Sequence, residues 1–363
     1  MSRTVNLNIR GAGVIFLLMT FGFSCSLQAS LQSVQNLVDQ VLQSQYQSFQ
    51  SAVESCGLGL YDRRFNQGYR NRDGWDGGGS LGNQEAALYL RDRFCEMGLN
   101  VSLQGTYRNV VAELPGAGTP GKIYVLGGHY DTYGSSERPG GDDNASGIAG
   151  VLEAARVLSQ YSFECTIRFI GFNAEEDWME GSSDYVNNAV LANNETIAGM
   201  INLDMILRPG WDSNPAQPED LDIGTQNTAA CLDWADTFIT AAQTYVPTLS
   251  FDFATPHTSV WYASDQAPFI SAGFPAIMVA ENTVEEIWSS GCNIYYHSCE
   301  DAGNGLANNP FNPSGVTFNY AFASDVVRAS VATLAQEAAC IPEPATILLL
   351  ALGGLALLCR KQF

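Results

Sequence analysis

The sequence predicts an α/β protein built on a helix-covered, largely parallel sheet. Three observations predict it: short β-branched apolar runs recur along the chain, segments of helical length and period separate them, and several runs end abruptly at Gly, Asp or Glu. Neither an internal repeat nor an interior linker is visible, so one domain is the simplest count.

Taken in order, Leu31 to about Ser55 places Leu31, Val34, Leu37, Val38, Val41 and Leu42 on one face of a leading amphipathic helix. A polar Gly-rich loop (DGWDGGGSLG, residues 73–82) follows. Residues Asn83 to Met97 form a helix closed by Gly98. Asn109 to Leu114 is a strand ended by Pro-Gly, with Ile123 to Leu126 as its neighbour. The alternation then runs helix 145–158, strand 166–172, helix 183–191, strand 199–205, helix 230–244, strands 249–253 and 276–280, and a closing helix 318–338. The acidic, Pro-bearing stretch from Arg208 to Asp222 reads as a surface loop.

The chemistry concentrates where these strands end. The run KIYVLG (122–127) breaks at glycine as a buried parallel strand does before its carboxyl end, where ligands collect in open α/β sheets. His129 and Asp131 are two residues apart, so both point to one face. One ring nitrogen is then free for a metal while Asp131 fixes the other. Asp142, Asp143 and Asn144 precede Ala145-Ser146-Gly147 at the start of an apolar helix, so a carboxylate there faces back towards the strand ends, although Asp and Asn are also ordinary helix caps. The strand TIRFIGF leads into Asn173-Ala174-Glu175-Glu176. On an extended backbone these two glutamates point opposite ways, dividing a metal ligand from a general base. A solvated acidic loop is the plain alternative. Asp204 follows the strand at 200–203, a weak signal alone. His297 sits in YYHSCED with Asp301 four residues on, whereas His257, in ATPHTSV, reads as a surface or rim residue. With only three histidines in the chain, two in carboxylate-bearing contexts carry weight.

Composition bounds the rest. The chain has 363 residues, 46% hydrophobic and 15% charged, enough for a sizeable core. Lys and Arg total 17 against 38 Asp and Glu, a net charge of −21, which argues against nucleic-acid binding or attraction to anionic lipid. Residues 1–30 carry Arg3, Arg10, an apolar stretch from Val14 to Phe23 and a small-residue end, the pattern of a secretory signal peptide. Export permits disulfides among the cysteines outside the two terminal segments; Cys292 with Cys299 is the expected pair. At the other end, Pro342-Glu343-Pro344 precedes fifteen apolar or small residues and then Arg360-Lys361. That helix would span about 22 Å, short of a hydrocarbon core of about 30 Å yet able to act as a membrane anchor. This order resembles the PEP-CTERM sorting signal of bacterial exopolysaccharide-associated proteins. The resemblance implies an exosortase-type processing partner and a surface or extracellular location, with membrane contact only through this helix.

The strand-end residues together resemble the zinc exopeptidase family that includes aminopeptidase Y and the bacterial leucyl aminopeptidases, over roughly Asn83 to Ala338. That family implies a three-layer αβα fold with a mixed, mainly parallel central sheet, occupying 83–340 behind an N-terminal helix and loop at 31–82. It implies two zinc ions, one held by His129 and Asp204 and the other by Glu176 and His297. Asp143 bridges them, Glu175 is the general base and Asp131 orients His129. Asp143 is chosen over Asp142 because the family's bridging aspartate stands four residues before the glycine of the helix start. The sequence departs from the family at Ser264-Asp265-Gln266, where a histidine is usual, and at Ser298-Cys299, where Thr-Pro is usual. The expected activity is hydrolysis of amino-terminal residues from peptides. The alternatives are a single-zinc glutaminyl cyclase and a catalytically idle surface protein of the same fold.

Overall fold

The structure, a computed structural model, describes residues 33–57, 81–118, 121–133, 138–209, 220–251, 262–281, 295–298, 300–303 and 318–341. The predicted signal peptide, the C-terminal apolar stretch, His257 and the Cys292–Cys299 pair lie outside these residues. Among the described residues no helix is long and apolar enough to cross a membrane.

The described residues begin with helices α1 (residues 33–38), α2 (Gln43–Gly57) and α3 (Leu81–Glu96). Strands β1 (Asn100–Gln104), β2 (Asn109–Leu114) and β3 (Lys122–His129) follow, then α4 (Ala145–Leu158), the short β4 (Ser162–Phe163) and β5 (Thr166–Phe172). Helix α5 (Glu180–Tyr185) continues into a π-helical turn at Val186–Leu191 and leads to β6 (Thr196–Leu203). The remainder comprises β7 (Asp222–Gly224), α6 (Ala229–Tyr245), α7 (Gln266–Ser271), β8 (Ala276–Ala280), α8 (Tyr320–Glu337) and β9 (Cys340–Ile341).

Among the described residues, seven strands form one sheet in the order β1-β2-β5-β3-β6-β8-β7. Its centre is parallel, β3 pairing with β5 and β6, and β6 with β8. Its margins are antiparallel, β1 with β2, β2 with β5, and β7 with β8. Alternation along the strands explains the layers. Tyr124 and Leu126 of β3, with Ile167 and Phe169 of β5, face a core shared with α1, α2, α3, α4, α6 and α8. Ile123 and Val125, with Ile170 and Phe172, face a second, smaller core built on Tyr185, Val186, Val190, Phe269 and Ile270. The expected three-layer αβα arrangement is therefore present.

The crossover pattern positions the site. From β3 the chain passes through α4 to β5 on one side, then through α5 to β6 on the other. This is the reversal of direction that opens a crevice at the carboxyl ends of the strands. Helix α4 seats closely over that crevice because its early residues are small. A Cβ on Gly147 would lie 2.2 Å from the Leu203 carbonyl oxygen, and one on Gly150 2.7 Å from Leu203 Cδ1. Asn144 caps the helix, its Oδ1 accepting from Gly147 N at 2.9 Å, while its Nδ2 donates to the Leu203 carbonyl at 2.9 Å.

Several expectations require correction. The leading helix is broken between α1 and α2, because the turn's backbone is taken up by side chains from α4 and α8. Leu42 N donates to Glu153 Oε1 at 2.7 Å, Arg156 Nη2 donates to the Gln40 carbonyl at 2.6 Å, and Arg328 Nη2 to that of Val41 at 3.1 Å. Strand β3 is not the neighbour of β2: β5 lies between them, because β2 joins the sheet antiparallel at its margin. In the expected strand 249–253, the described residues hold only an isolated bridge from Phe251 to Leu221. The segment expected as a surface loop from Arg208 to Asp222 is buried at both ends: Arg208 is 2% exposed, and Asp222 opens β7. Strands β1 and β7 and helix α7 are too short or too polar for the apolar period to reveal them.

Candidate metal centre

The predicted residues converge at the carboxyl edge of the sheet. His129 ends β3, Asp143 precedes α4, Glu175 and Glu176 follow β5, Asp204 follows β6, and His297 arrives on a separate loop. His129 Nε2 lies 3.4 Å from Asp143 Oδ1, 3.5 Å from Asp204 Oδ1 and 3.9 Å from Glu175 Oε2. His297 Nε2 lies 3.4 Å from Asp143 Oδ2 and 3.0 Å from Glu176 Oε2. Three donor groups have their ligand atoms within 4.8 Å of one another: His129-Asp143-Asp204, Asp143-Glu176-His297 and His129-Glu175-Glu176; the first two share Asp143.

Sharp backbone turns aim these side chains. Ala174, Trp178, Met179, Met205, Ser264 and His297 all adopt positive φ, a costly state for non-glycine residues that clusters at functional sites. The left-handed Ala174 ends the extended backbone before the glutamates, which corrects the expectation that they alternate on a strand. Instead they lie in a turn closed by Met179 N donating to the Glu175 carbonyl at 2.8 Å. Both carboxylates therefore reach the centre, one towards each histidine. Asp131 Oδ1 lies 3.4 Å from His129 Nδ1, as its two-residue spacing predicts. The His297 ring is stacked between Tyr133 (centroids 4.2 Å apart) and Tyr296 (3.7 Å), so its orientation is held by packing.

The electrostatics describe a pocket short of positive charge. Burial raises Glu175 and Glu176 well above the usual carboxylate range; the Glu176 carboxylate adds to the rise at Glu175, and that of Asp143 to the rise at Glu176. Burial alone would lower His129, but the carboxylates of Asp204 and Glu175 lift it well above the ordinary imidazole value. His297 is lowered, chiefly by burial. Glu176 Oε1 and His297 Nε2 are buried without a hydrogen-bond partner among the described residues. Two imidazoles and several carboxylates form a nitrogen and oxygen donor set suited to zinc, and a divalent cation would neutralise the crowded negative charge. The residues present therefore fit the group that the sequence implies.

The sequence reading missed a second set of polar groups directly behind the centre. Asp142 turns away from it: its Oδ1 accepts from Leu207 N at 3.1 Å. Glu281 accepts from Arg208 N, and Arg208 Nη2 donates to Asp301 Oδ1 at 3.3 Å. One usable signal existed, since Glu281 follows the apolar run AIMVA as Asp204 follows its own strand. At the departure from the expected motif, Gln266 turns into the protein, where its Oε1 accepts from Asn202 at 3.2 Å, and it does not line the cleft. The cleft, of about 250 Å³, is walled by Trp178, Met179, Met205, Tyr262, Met278 and Ala280 beside the centre.

The protein superposes on the LapA aminopeptidase of Legionella pneumophila with a TM-score of 0.64 at 18% identity, covering 85% of this chain and 75% of that one. It also superposes on the glutaminyl cyclase of Porphyromonas gingivalis with a TM-score of 0.60 at 16% identity, covering 82% and 98%. At these identities the likeness is one of fold. Residues 109–308 match the family model described as Peptidase family M28, more than half of the chain, and the chain belongs to that family. Residues 341–362 match the PEP-CTERM protein-sorting motif. Among curated proteins, a "Probable zinc metalloprotease" of Pyrenophora teres f. teres is 35% identical over 129 residues, 33% of this chain. The match spans only 27% of that relative's length.

Proposed function

We propose that the protein is an exported zinc-dependent exopeptidase that removes amino-terminal residues from peptides. The observation that carries this reading is the position of one carboxylate between two imidazoles: Asp143 Oδ1 is 3.4 Å from His129 Nε2, and Asp143 Oδ2 is 3.4 Å from His297 Nε2. In this reading His129, Asp204 and Asp143 would hold one zinc ion, and Glu176, His297 and Asp143 a second. Zinc, when bound, polarises a scissile carbonyl and lowers the pKa of water. Glu175 takes the proton of the attacking water and passes it to the leaving amine. Burial raises its carboxyl, the direction a base working near neutrality requires. Asp131 orients the His129 ring from behind, which selects the tautomer that presents Nε2. Membership of Peptidase family M28 supports the reaction class. The PEP-CTERM match supports export, processing by an exosortase-type enzyme and passage through a membrane-anchored state.

A single-zinc glutaminyl cyclase is the second reading, supported by the likeness of fold to the Porphyromonas gingivalis enzyme. The two divergent oxygens of Asp143 favour the peptidase. The deciding experiment measures zinc per chain and hydrolysis of amino-acid anilides for the wild type and Glu175→Ala. Two zinc ions, with activity lost in the variant, support the peptidase. One zinc ion, with cyclisation of amino-terminal glutamine, supports the cyclase. A protein without zinc or activity is neither.

A further inference from the structure

Two loops that carry no common strand must hold Asp143 and His297 in register, and the structure contains a buried clasp between them. Asp301, 3% exposed and four residues after His297, accepts from the backbone of the other loop. Asp142 N donates to its two oxygens at 3.1 and 3.2 Å, and Asp143 N donates to Oδ2 at 3.0 Å. The loops are also joined through backbone, Gly141 N donating to the Asp301 carbonyl at 2.9 Å. Arg208 Nη2 lies 3.3 Å from Asp301 Oδ1, and its guanidinium is stacked between the rings of Tyr295 (4.4 Å) and Phe318 (4.7 Å).

Helix α2 closes the clasp from behind, although it lies outside the residues matched to the family model. Gln50 Nε2 donates to the Gly141 carbonyl at 2.9 Å, on the Asp143 loop. Glu54 Oε1 accepts from Gly303 N at 2.9 Å, on the His297 loop. These two residues are one helical turn apart and joined to each other by a 2.8 Å hydrogen bond, so a single rigid element holds both loops.

We propose that Asp301 is a positioning residue for the metal centre. With Glu54 behind it, Asp301 sets the distance between His297 and Asp143, and thereby the affinity of the position formed by Asp143, Glu176 and His297. The proposal rests on the two-metal reading above. It predicts a larger effect at that position, because the clasp holds the loops of two of its donors, Asp143 and His297, and at the other position only that of Asp143. Groups that orient metal ligands typically govern affinity by about 10–100-fold.

The test is a Co²⁺ titration of the metal-stripped full chain, followed by the d–d absorption bands and by calorimetry, with thermal unfolding recorded on each variant. Asp301→Asn keeps one acceptor oxygen but loses the charge facing Arg208. It should weaken one of the two binding constants about 10–100-fold and reduce the other by less. Glu54→Leu should weaken the same constant, and Glu54→Gln, which keeps an acceptor for Gly303 N but turns an amide nitrogen towards Gln50 Nε2, should weaken it less. Glu54→Leu also serves if Asp301→Asn does not fold. A wild type binding two ions, with both constants unchanged or equally reduced in the variants, overturns the clasp and leaves the two-metal reading intact. A wild type binding a single ion overturns both.

Discussion

Asp131 accepts a hydrogen bond from the backbone N–H of Glu175 at 3.2 Å, and its second oxygen accepts from that of Glu176, also at 3.2 Å. The carboxylate assigned to His129 therefore also anchors the turn that delivers the proposed base and a proposed ligand. Asp131→Asn presents an amide nitrogen where one of those N–H groups donates. Loss of zinc affinity by about 10–100-fold is expected, together with a fall in kcat that saturating zinc does not restore, because the base is displaced as well. Metal titration and kcat at saturating zinc check this. Full recovery of kcat would confine Asp131 to the histidine.

For the base itself, Glu175→Gln keeps shape and volume but cannot take a proton. We expect kcat to fall by about 10²–10⁴-fold, the usual contribution of a general base, with zinc content unchanged. Steady-state kinetics beside metal analysis provide the check. A variant that loses its zinc would instead make Glu175 a ligand.

Substrate choice follows from the walls of the cleft. Trp178 is 84% exposed on a left-handed backbone beside three methionines, and none of the described residues lining the cleft is Lys or Arg. Methionine walls adapt to varied apolar shapes, and an indole left in water gains by covering an apolar side chain. An acidic side chain would find neither lysine nor arginine among the described residues lining the cleft. Leucyl and methionyl anilides should therefore exceed glutamyl anilide in kcat/KM by about 10–200-fold, the range for an apolar pocket contact. Trp178→Ala should raise KM more than it lowers kcat. Equal turnover of the glutamyl substrate would exclude this cleft as the specificity pocket.

The start of α4 offers a structural test. Gly147→Ala brings a methyl group to within 2.2 Å of the Leu203 carbonyl and 2.5 Å of Asn144 Oδ1, so the helix must lift from the end of β6. The loss should be about 1–3 kcal/mol or more, as for overpacking elsewhere, and should include weaker zinc binding, since Asp143 and Asp204 flank this contact. Denaturant unfolding and metal titration would show both effects. A stable variant with unchanged zinc affinity would mean that the helix start is not held as described.

How much of this could be read beforehand depended on whether a feature was local. β2, α4, β5 and β8 begin and end where the apolar period predicted, because each is a continuous run bounded by glycine, proline or a polar residue. His129, Asp131, Glu175, Glu176 and Asp204 were legible because a carboxylate or histidine at the end of an apolar strand is a local pattern, whereas Asp143 and His297 stood out by the helix start and the carboxylate-bearing loop that carry them. Features made by pairing distant segments were not legible. The insertion of β5 between β2 and β3, the break between α1 and α2, and the burial of Arg208 each depend on partners far away in sequence. Arg208 shows the limit well: in a stretch rich in proline and acid it reads as solvent-exposed, yet Tyr295, Phe318 and Asp301 enclose it.

Glu281 makes the last prediction, one of pH dependence. It is fully buried, and its pKa is raised well above the usual carboxylate range by burial, by the nearby Asp142 carboxylate and by hydrogen bonding to Asp142, with Arg208 opposing the shift. A folded pKa above the unfolded value, about 4.3 for glutamate, means that the folded protein holds a proton the unfolded chain releases. The stabilising contribution is complete below the unfolded pKa and is lost as pH rises through the folded one. Glu281→Gln mimics the protonated acid, since the amide nitrogen can donate to Asp142 and the amide oxygen can accept from Arg208 N. The melting temperature of the variant should therefore fall less steeply than that of the wild type as pH rises from about 5 to 8. It should match the wild type near the acid end and exceed it near the alkaline end. Thermal unfolding of both proteins at matched zinc concentration across this range gives the answer. Parallel curves would mean that Glu281 is ionised in the folded protein and that the pair shares no proton.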